Sequence, residues 1–209
     1  MSLSVDKKWL YQSFSLLSKA NPFLITTMGL SCSGKSTVCR WLTCEFKAAW
    51  LCSDVVRKRL YGMSPTQSSA ETGLNIYSAN AHKRTFSQLT TLAGKLLFSG
   101  YPVVIDSAAL RSSDRQQFIT LARALGTSFV IIYCMAKEDT IKIRLHKRSQ
   151  RSEEPSEATV KIMEQQKEWL EEPCDPEEHF LIRLSTDLPD WQGKLKTVSY
   201  THLRAHETA

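Results

Sequence analysis

Short, nearly unbroken apolar runs alternate along the chain with longer stretches in which apolar residues recur every three or four positions. The runs are Phe23 to Met28, Ala49 to Cys52, Pro102 to Asp106, Ser128 to Cys134 and His179 to Leu184. Strand-like runs interleaved with helical patterns predict an α/β fold on a parallel sheet, here of five strands. Between the runs, Lys35 to Lys47 reads as a helix. Thr72 to Ser99 reads as a long helical region with Leu89, Leu92, Ala93, Leu96 and Leu97 on one face, stopped by Gly100. Asp114 to Leu125 is a helix closed by Gly126. Glu138 to Ser149 and Ser156 to Leu170 complete the set, separated by the polar stretch Gln150 to Pro155, whose proline breaks any continuous helix. The sequence contains no internal repeat and no long low-complexity linker.

The first run leads directly into Gly29-Leu30-Ser31-Cys32-Ser33-Gly34-Lys35-Ser36-Thr37, which fits G-x-x-x-x-G-K-[ST] at every fixed position. A strand before the pattern and a helix after it turn the match into a structural expectation. The glycines let the backbone curl so that successive N–H groups face phosphate oxygens, and the helix adds the positive end of its dipole. Lys35 then neutralises β- and γ-phosphates, and the Ser36 hydroxyl ligates the Mg²⁺ that bridges them. Such a loop implies bound nucleotide without saying what becomes of the γ-phosphate. No N-K-x-D follows, so guanine-specific GTPases lose their base-reading element. The run 102–106 ends in a single Asp106 with no adjacent Glu to polarise a hydrolytic water. Asp106 can bind magnesium, help to position a substrate, or simply cap the next turn.

The second run opens into Ser53-Asp54-Val55-Val56-Arg57-Lys58-Arg59-Leu60. Ligands of doubly wound sheets gather beyond the carboxyl ends of the strands, so Asp54 is expected to share a crevice with the phosphate loop. There it can accept the proton of an attacking hydroxyl, while Arg57, one turn on, holds an anionic group. The competing reading has Ser53 as an N-cap, Asp54 favouring the helix dipole, and Arg57 to Arg59 solvated.

Charge adds a third element. The 209 residues carry a net +6, which favours anionic partners without choosing among them. Its distribution is more informative, since residues 137–151 hold six basic side chains against two acidic ones, and residues 152–178 hold ten acidic against two basic. Arg144 and Arg148 share a helix face, with Arg151 beyond. They form either a basic lid over the nucleotide or a surface helix that pairs with the acidic one following it. No aromatic-basic platform suggests a dedicated nucleic-acid binder. No apolar run approaches the roughly 18–20 residues of a membrane span, and the first residues lack the order of a signal peptide, so a cytoplasmic location is the expectation. The six cysteines show no C-x-x-C spacing, which argues against zinc, redox motifs and disulfides.

These segments together resemble the P-loop kinase-like ATPases, a group including zeta toxins, chloramphenicol phosphotransferases, gluconate kinase-like proteins and polynucleotide kinases. The chain looks most like the AAA family ATPase domain often fused behind an aminoglycoside-phosphotransferase-like domain. The carrying residues run from Leu24 to Thr37, through Ser53 to Leu60 and Gly100 to Asp106 with Arg115 beyond, to Arg144–Arg148 and Ser156-Glu157-Ala158. The resemblance implies a P-loop NTPase three-layer sandwich with a parallel five-stranded sheet and a helical lid, and ATP with Mg²⁺ as the nucleotide and metal. It further implies Lys35, Asp54, Arg144 and Arg148 as catalytic groups, Asp54, Arg57, Asp106 and Arg115 at the substrate, and Ser36 with Asp106 at the metal. Two departures stand out: Cys32 replaces the usual Gly or other small residue, and Ser107-Ala108-Ala109 replaces the usual Ala-Thr-Phe. The implied domain spans residues 21–197 with its lid at about 137–155. Residues 1–20 are expected to be a docking helix or the remnant of an upstream domain, and 198–209 resemble a translated adapter. The expected activity is phosphoryl transfer to a hydroxyl of a small molecule or nucleic-acid end. The alternative is an ATP-binding regulatory module without a small-molecule acceptor.

Overall fold

The structure, a computed structural model, describes residues 22–69, 72–149 and 160–196. The expected N-terminal helix, the polar break with Arg151, the first residues of the helix expected from Ser156 and the tail lie outside these residues. Strand β1 (Phe23–Met28) is buried at every position, as is β3 (Val103–Asp106). A strand with no polar face must be covered on both sides, and successive residues then feed opposite cores. Leu24, Met28, Val103, Ile105, Phe129 and Ile131 enter one core; Phe23, Ile25, Val104, Val130 and Ile132 enter the other.

Helix α1 (Lys35–Phe46) follows β1, and β2 (Ala49–Cys52) continues without a break into α2 (Ser53–Leu60). Helices α3 (Ala79–Phe98) and α4 (Ser112–Leu125) flank β3, and β4 is Ser128–Met135. Then come α5 (Glu138–Ser149), α6 (Val160–Trp169), the single turn α7 (Asp175–Glu178) and β5 (Leu181–Ser185). All strand pairs are parallel, in the order β2-β3-β1-β4-β5. Helices α3 and α4 cover one face through Phe86, Leu89, Ala93, Leu97, Phe118, Ile119 and Ala122; α1 covers the other through Val38, Cys39 and Leu42, joined by Leu195. The expected three-layer α/β sandwich with five parallel strands is the fold observed.

The boundaries differ where capping outweighs periodicity. The region expected to be helical from Thr72 begins only at Ala79, because Gly73 is left-handed (φ 65°) and Ser78 caps the helix by accepting from Ala81 N at 3.2 Å. The last strand starts at Leu181 rather than His179, because α7, with Pro176 in its first turn, occupies the residues before it. Gly126 closes α4 in the left-handed conformation, as its place in the sequence suggested. Cys52 pairs with Asp106, and Thr26 with Ile105, so β1, β2 and β3 end nearly level. Everything that leaves their carboxyl ends opens onto one crevice.

Candidate active site

Between Met28 and Lys35 the chain reverses through three left-handed residues, Gly29 (φ 135°), Cys32 (φ 59°) and Gly34 (φ 96°). A Cβ on Gly29 would lie 2.4 Å from the Cys134 carbonyl oxygen, and one on Gly34 2.7 Å from Thr186 Oγ1. Backbone angle and close approach therefore both demand glycine at the two fixed positions. Cys32 accepts the same backbone region with a side chain, at a cost of roughly 1–2 kcal/mol. Its packing beside Leu30 against Ala136, Ile141, Leu145 and Met163 works against that cost. The conformation also explains why glycine is usual at this place.

Two donors of the loop already have partners. Lys35 Nζ donates to Leu30 O at 2.6 Å, and Ser31 N donates to Gln166 Oε1 of α6 at 2.7 Å. Arg144 of α5 donates to Cys32 O at 3.2 Å, Thr186 Oγ1 at 3.1 Å and Thr186 O at 3.1 Å. Arg148 Nη1 lies 3.9 Å from Cys32 Sγ. Thr186 Oγ1 in turn donates to Ser33 O at 2.6 Å. The structure thus places both expected lid arginines on the phosphate loop. Between α5 and α6, Glu138 meets Lys167 at 3.5 Å, while the acidic residues Glu153, Glu154 and Glu157 lie outside the described residues.

At the end of β3, Asp106 is 4% exposed, and its Oδ2 has no hydrogen-bond partner among the described residues. Burial pushes this carboxyl up from the usual aspartate value, opposed by a hydrogen bond with Ser36 and the charge of Lys35. An orphaned buried carboxylate oxygen beside a serine hydroxyl fits a hard divalent cation. Among the described residues no three His, Cys, Asp or Glu side chains gather to hold a metal by themselves. Ser36 and Asp106 would hold Mg²⁺ only together with phosphate oxygens and water, which is the ordinary mode for that ion.

Asp54 and Arg57 line the same cavity, of about 1280 Å³. Arg57 Nη1 donates to Asp54 Oδ1 at 2.7 Å, and its guanidinium lies 5.0 Å from the Tyr77 ring centre. Arg57 is 8% exposed and Lys58 1%, so the reading of residues 57–59 as a solvated run fails for both; only Arg59 is exposed. Ser53 is not the N-cap either, since Cys52 holds that position. The Nε of Arg57 is buried without a hydrogen-bond partner among the described residues, which leaves it ready for a ligand anion.

One expected site residue belongs elsewhere. Arg115 is wholly buried, not in the crevice: Nε and Nη2 donate to Glu177 Oε1 (3.0 Å) and Oε2 (2.8 Å), while Nη1 donates to the carbonyls of Ala109 and Leu110. With its donors committed to α7 and to the loop after β3, it fixes that loop and does not meet substrate. The loop matters because Ala108 O accepts from Gly29 N at 2.9 Å. Sequence reasoning missed several cavity residues. His82 Nε2 contacts both Asp114 carboxylate oxygens at 2.9 and 3.0 Å, with its ring 4.5 Å from that of Phe86. Arg111 lies over Trp169 at 5.5 Å. Neither pair has a local sequence signal, since each joins residues distant in the chain.

A family model described as "AAA domain" matches residues 24–173. No curated protein matches the chain. Among solved structures, the chain is similar to a putative kinase from Chloroflexus aurantiacus (21% identity, TM-score 0.66, covering 88% of this chain and 99% of that one). It is similar also to Chaetomium thermophilum Kti12 in complex with ADP-AlF3 (17%, TM-score 0.66, 86% and 98%). A third likeness is to the Mycobacterium tuberculosis APS kinase in complex with AMPPNP and APS (18%, TM-score 0.60, 87% and 98%).

Proposed function

Because the chain belongs to the AAA domain family, we propose that it is an ATP- and Mg²⁺-dependent phosphotransferase that moves the γ-phosphoryl group to a hydroxyl of a small molecule or a nucleic-acid end. One observation carries the reading: an acid–arginine pair, Asp54 and Arg57, lines the same cavity as the phosphate loop. A loop that only binds nucleotide has no need of a second polar centre across the cavity. Kinases among the similar structures support it.

The loop N–H groups and Lys35 would hold the phosphate chain, and Ser36 with Asp106 would hold the cation. A bound Mg²⁺ would supply neutralisation of phosphate charge. Asp54 takes the proton as the acceptor oxygen bonds to phosphorus and the bond to the ADP oxygen breaks. Arg57 orients Asp54 and offers its Nε to the acceptor or the migrating group, while Arg144 and Arg148 bring positive charge to the loop from α5. The setting is cytoplasmic, and an associated aminoglycoside-phosphotransferase-like domain is a candidate partner.

The test measures transfer from γ-labelled ATP to a panel of hydroxylated metabolites, aminoglycosides and 5′-hydroxyl oligonucleotides. Asp54→Asn should abolish transfer while nucleotide affinity changes less than about threefold, and Lys35→Ala should lose both. Slow ATP hydrolysis unaltered by Asp54→Asn, with no acceptor in the panel, would refute the phosphotransferase and leave a nucleotide-binding module.

A further inference from the structure

One peptide unit, Leu30–Ser31, is held from both ends. Its carbonyl oxygen accepts from Lys35 Nζ at 2.6 Å, and its N–H donates to Gln166 Oε1 at 2.7 Å. Ser31, Lys35 and Gln166 all line the cavity beside the loop, and the Ser31 N–H belongs to the run of loop N–H groups that face phosphate oxygens in this motif. The amide oxygen of Gln166 therefore sits at a loop donor as a neutral oxygen in place of an anionic one. Gln166 is fixed there by the rest of α6. Met163, fully buried, packs with Leu30 and Cys32 under α6, and Trp169 reaches Arg111 on the other wall of the cavity. Residues 166 and 169 are three apart on one helix, so the same rigid element touches the phosphate loop and the far wall.

We propose that Gln166 is a specificity-determining residue for the nucleotide's phosphate chain: its side chain competes with phosphate oxygen for the Ser31 N–H, and a nucleotide must displace it to use the whole loop. The inference rests on the nucleotide-binding part of the proposed function and is independent of the acceptor. Binding carries the cost of releasing the Gln166 contact, so the measured affinity is lowered by the fraction of molecules in which that contact is made. A charged phosphate oxygen is the better acceptor and wins the exchange. Nucleotides that reach further along the loop recover more of the cost, so a triphosphate gains over a diphosphate.

The experiment uses the full chain, calorimetric titration with AMPPNP and with ADP in excess Mg²⁺, and two substitutions that a structural role would not separate. Gln166→Ala removes the competitor and should tighten AMPPNP about two- to tenfold, the equivalent of one net hydrogen bond, with a smaller gain for ADP. Gln166→Glu keeps the acceptor and adds a negative charge, and should weaken AMPPNP about tenfold or more at pH 8. Melting temperatures without nucleotide check that both variants fold. Opposite signs for the two substitutions establish the competition. Weaker binding in both, or no change in either, overturns it, as does an equal gain for ADP and AMPPNP. Absence of phosphoryl transfer to every acceptor in the parent protein, with the opposite signs intact, would sink the phosphotransferase reading and leave this one standing.

Discussion

Glu177 and Glu178 are neighbours in the chain, both paired bidentately with an arginine, and their removal should have very unequal consequences. Glu177 is 2% exposed and meets Arg115, which is fully buried; Glu178 meets Arg183 at 2.6 and 2.9 Å with both side chains largely in solvent. Glu177→Gln leaves the Arg115 charge buried without its counter-charge, which costs about 3–5 kcal/mol. For a domain of this size that is a fall in melting temperature of roughly 10 °C. Glu178→Gln removes a pair that water already screens, and no measurable change is expected. The double variant Arg115→Met, Glu177→Leu should recover part of the loss. It relieves the charge imbalance but leaves the Ala109 carbonyl without the Arg115 donor, while the Leu110 carbonyl keeps the Glu171 N–H at 2.9 Å. The assay is urea unfolding at pH 7.5 for all four proteins, alongside AMPPNP affinity for the folded fraction, which should change less than about twofold in Glu177→Gln. A loss below about 1 kcal/mol in Glu177→Gln would refute the structural assignment of Arg115. So would unchanged stability with abolished activity, the signature of a substrate-binding arginine.

Two further outcomes follow from burial. Asp106 has its folded-state pKa raised, so its contribution to stability is present at low pH and is lost as pH rises through that value. Asp106→Asn should therefore melt higher than the parent near neutral pH without nucleotide, by a margin that shrinks as pH falls toward the ordinary aspartate value, and should lose Mg²⁺-dependent nucleotide binding; melts from neutral pH down to about pH 4 that show no change in the difference would contradict this. Burial pushes the thiols of Cys52 and Cys134 up to about 12 and that of Cys39 well above its ordinary value, whereas Cys44 and Cys174 are exposed. At pH 8 a thiol four units below its pKa is only about 10⁻⁴ thiolate, so iodoacetamide followed by mass spectrometry should find Cys44 and Cys174 modified in the folded protein and Cys39, Cys52 and Cys134 only after unfolding.

The strands were legible because a run with no polar face has few places to go in a protein of this size. Gly100 and Gly126 were legible as stops because left-handed closure is a local property. The phosphate loop was legible for a related reason: its chemistry is carried by contiguous residues. What the sequence did not reveal depends on partners brought from afar. Thr186 meets Ser33 across 153 residues, Gln166 meets Ser31 across 135, and His82 meets Asp114 across 32. Arg115 was misplaced because only the family resemblance put it at the substrate, and a resemblance does not say which partner a guanidinium finds in this chain. Its orientation is decided by Glu177, 62 residues on, whose burial no local pattern announces.

The wedge between Gly34 and Thr186 has a consequence for synthesis. Ser33 O and Gly34 take their places against a side chain made 153 residues later, after β5, and Arg144, which donates to Cys32 O, is also bonded to that threonine. At about 5–20 residues per second, ribosomes would need roughly 8–30 s to supply it after the loop has been made. Through that interval the nascent chain carries the phosphate-loop sequence without the wall that shapes it. Nucleotide capture should switch on late in synthesis, when the threonine following the last strand seats against the loop.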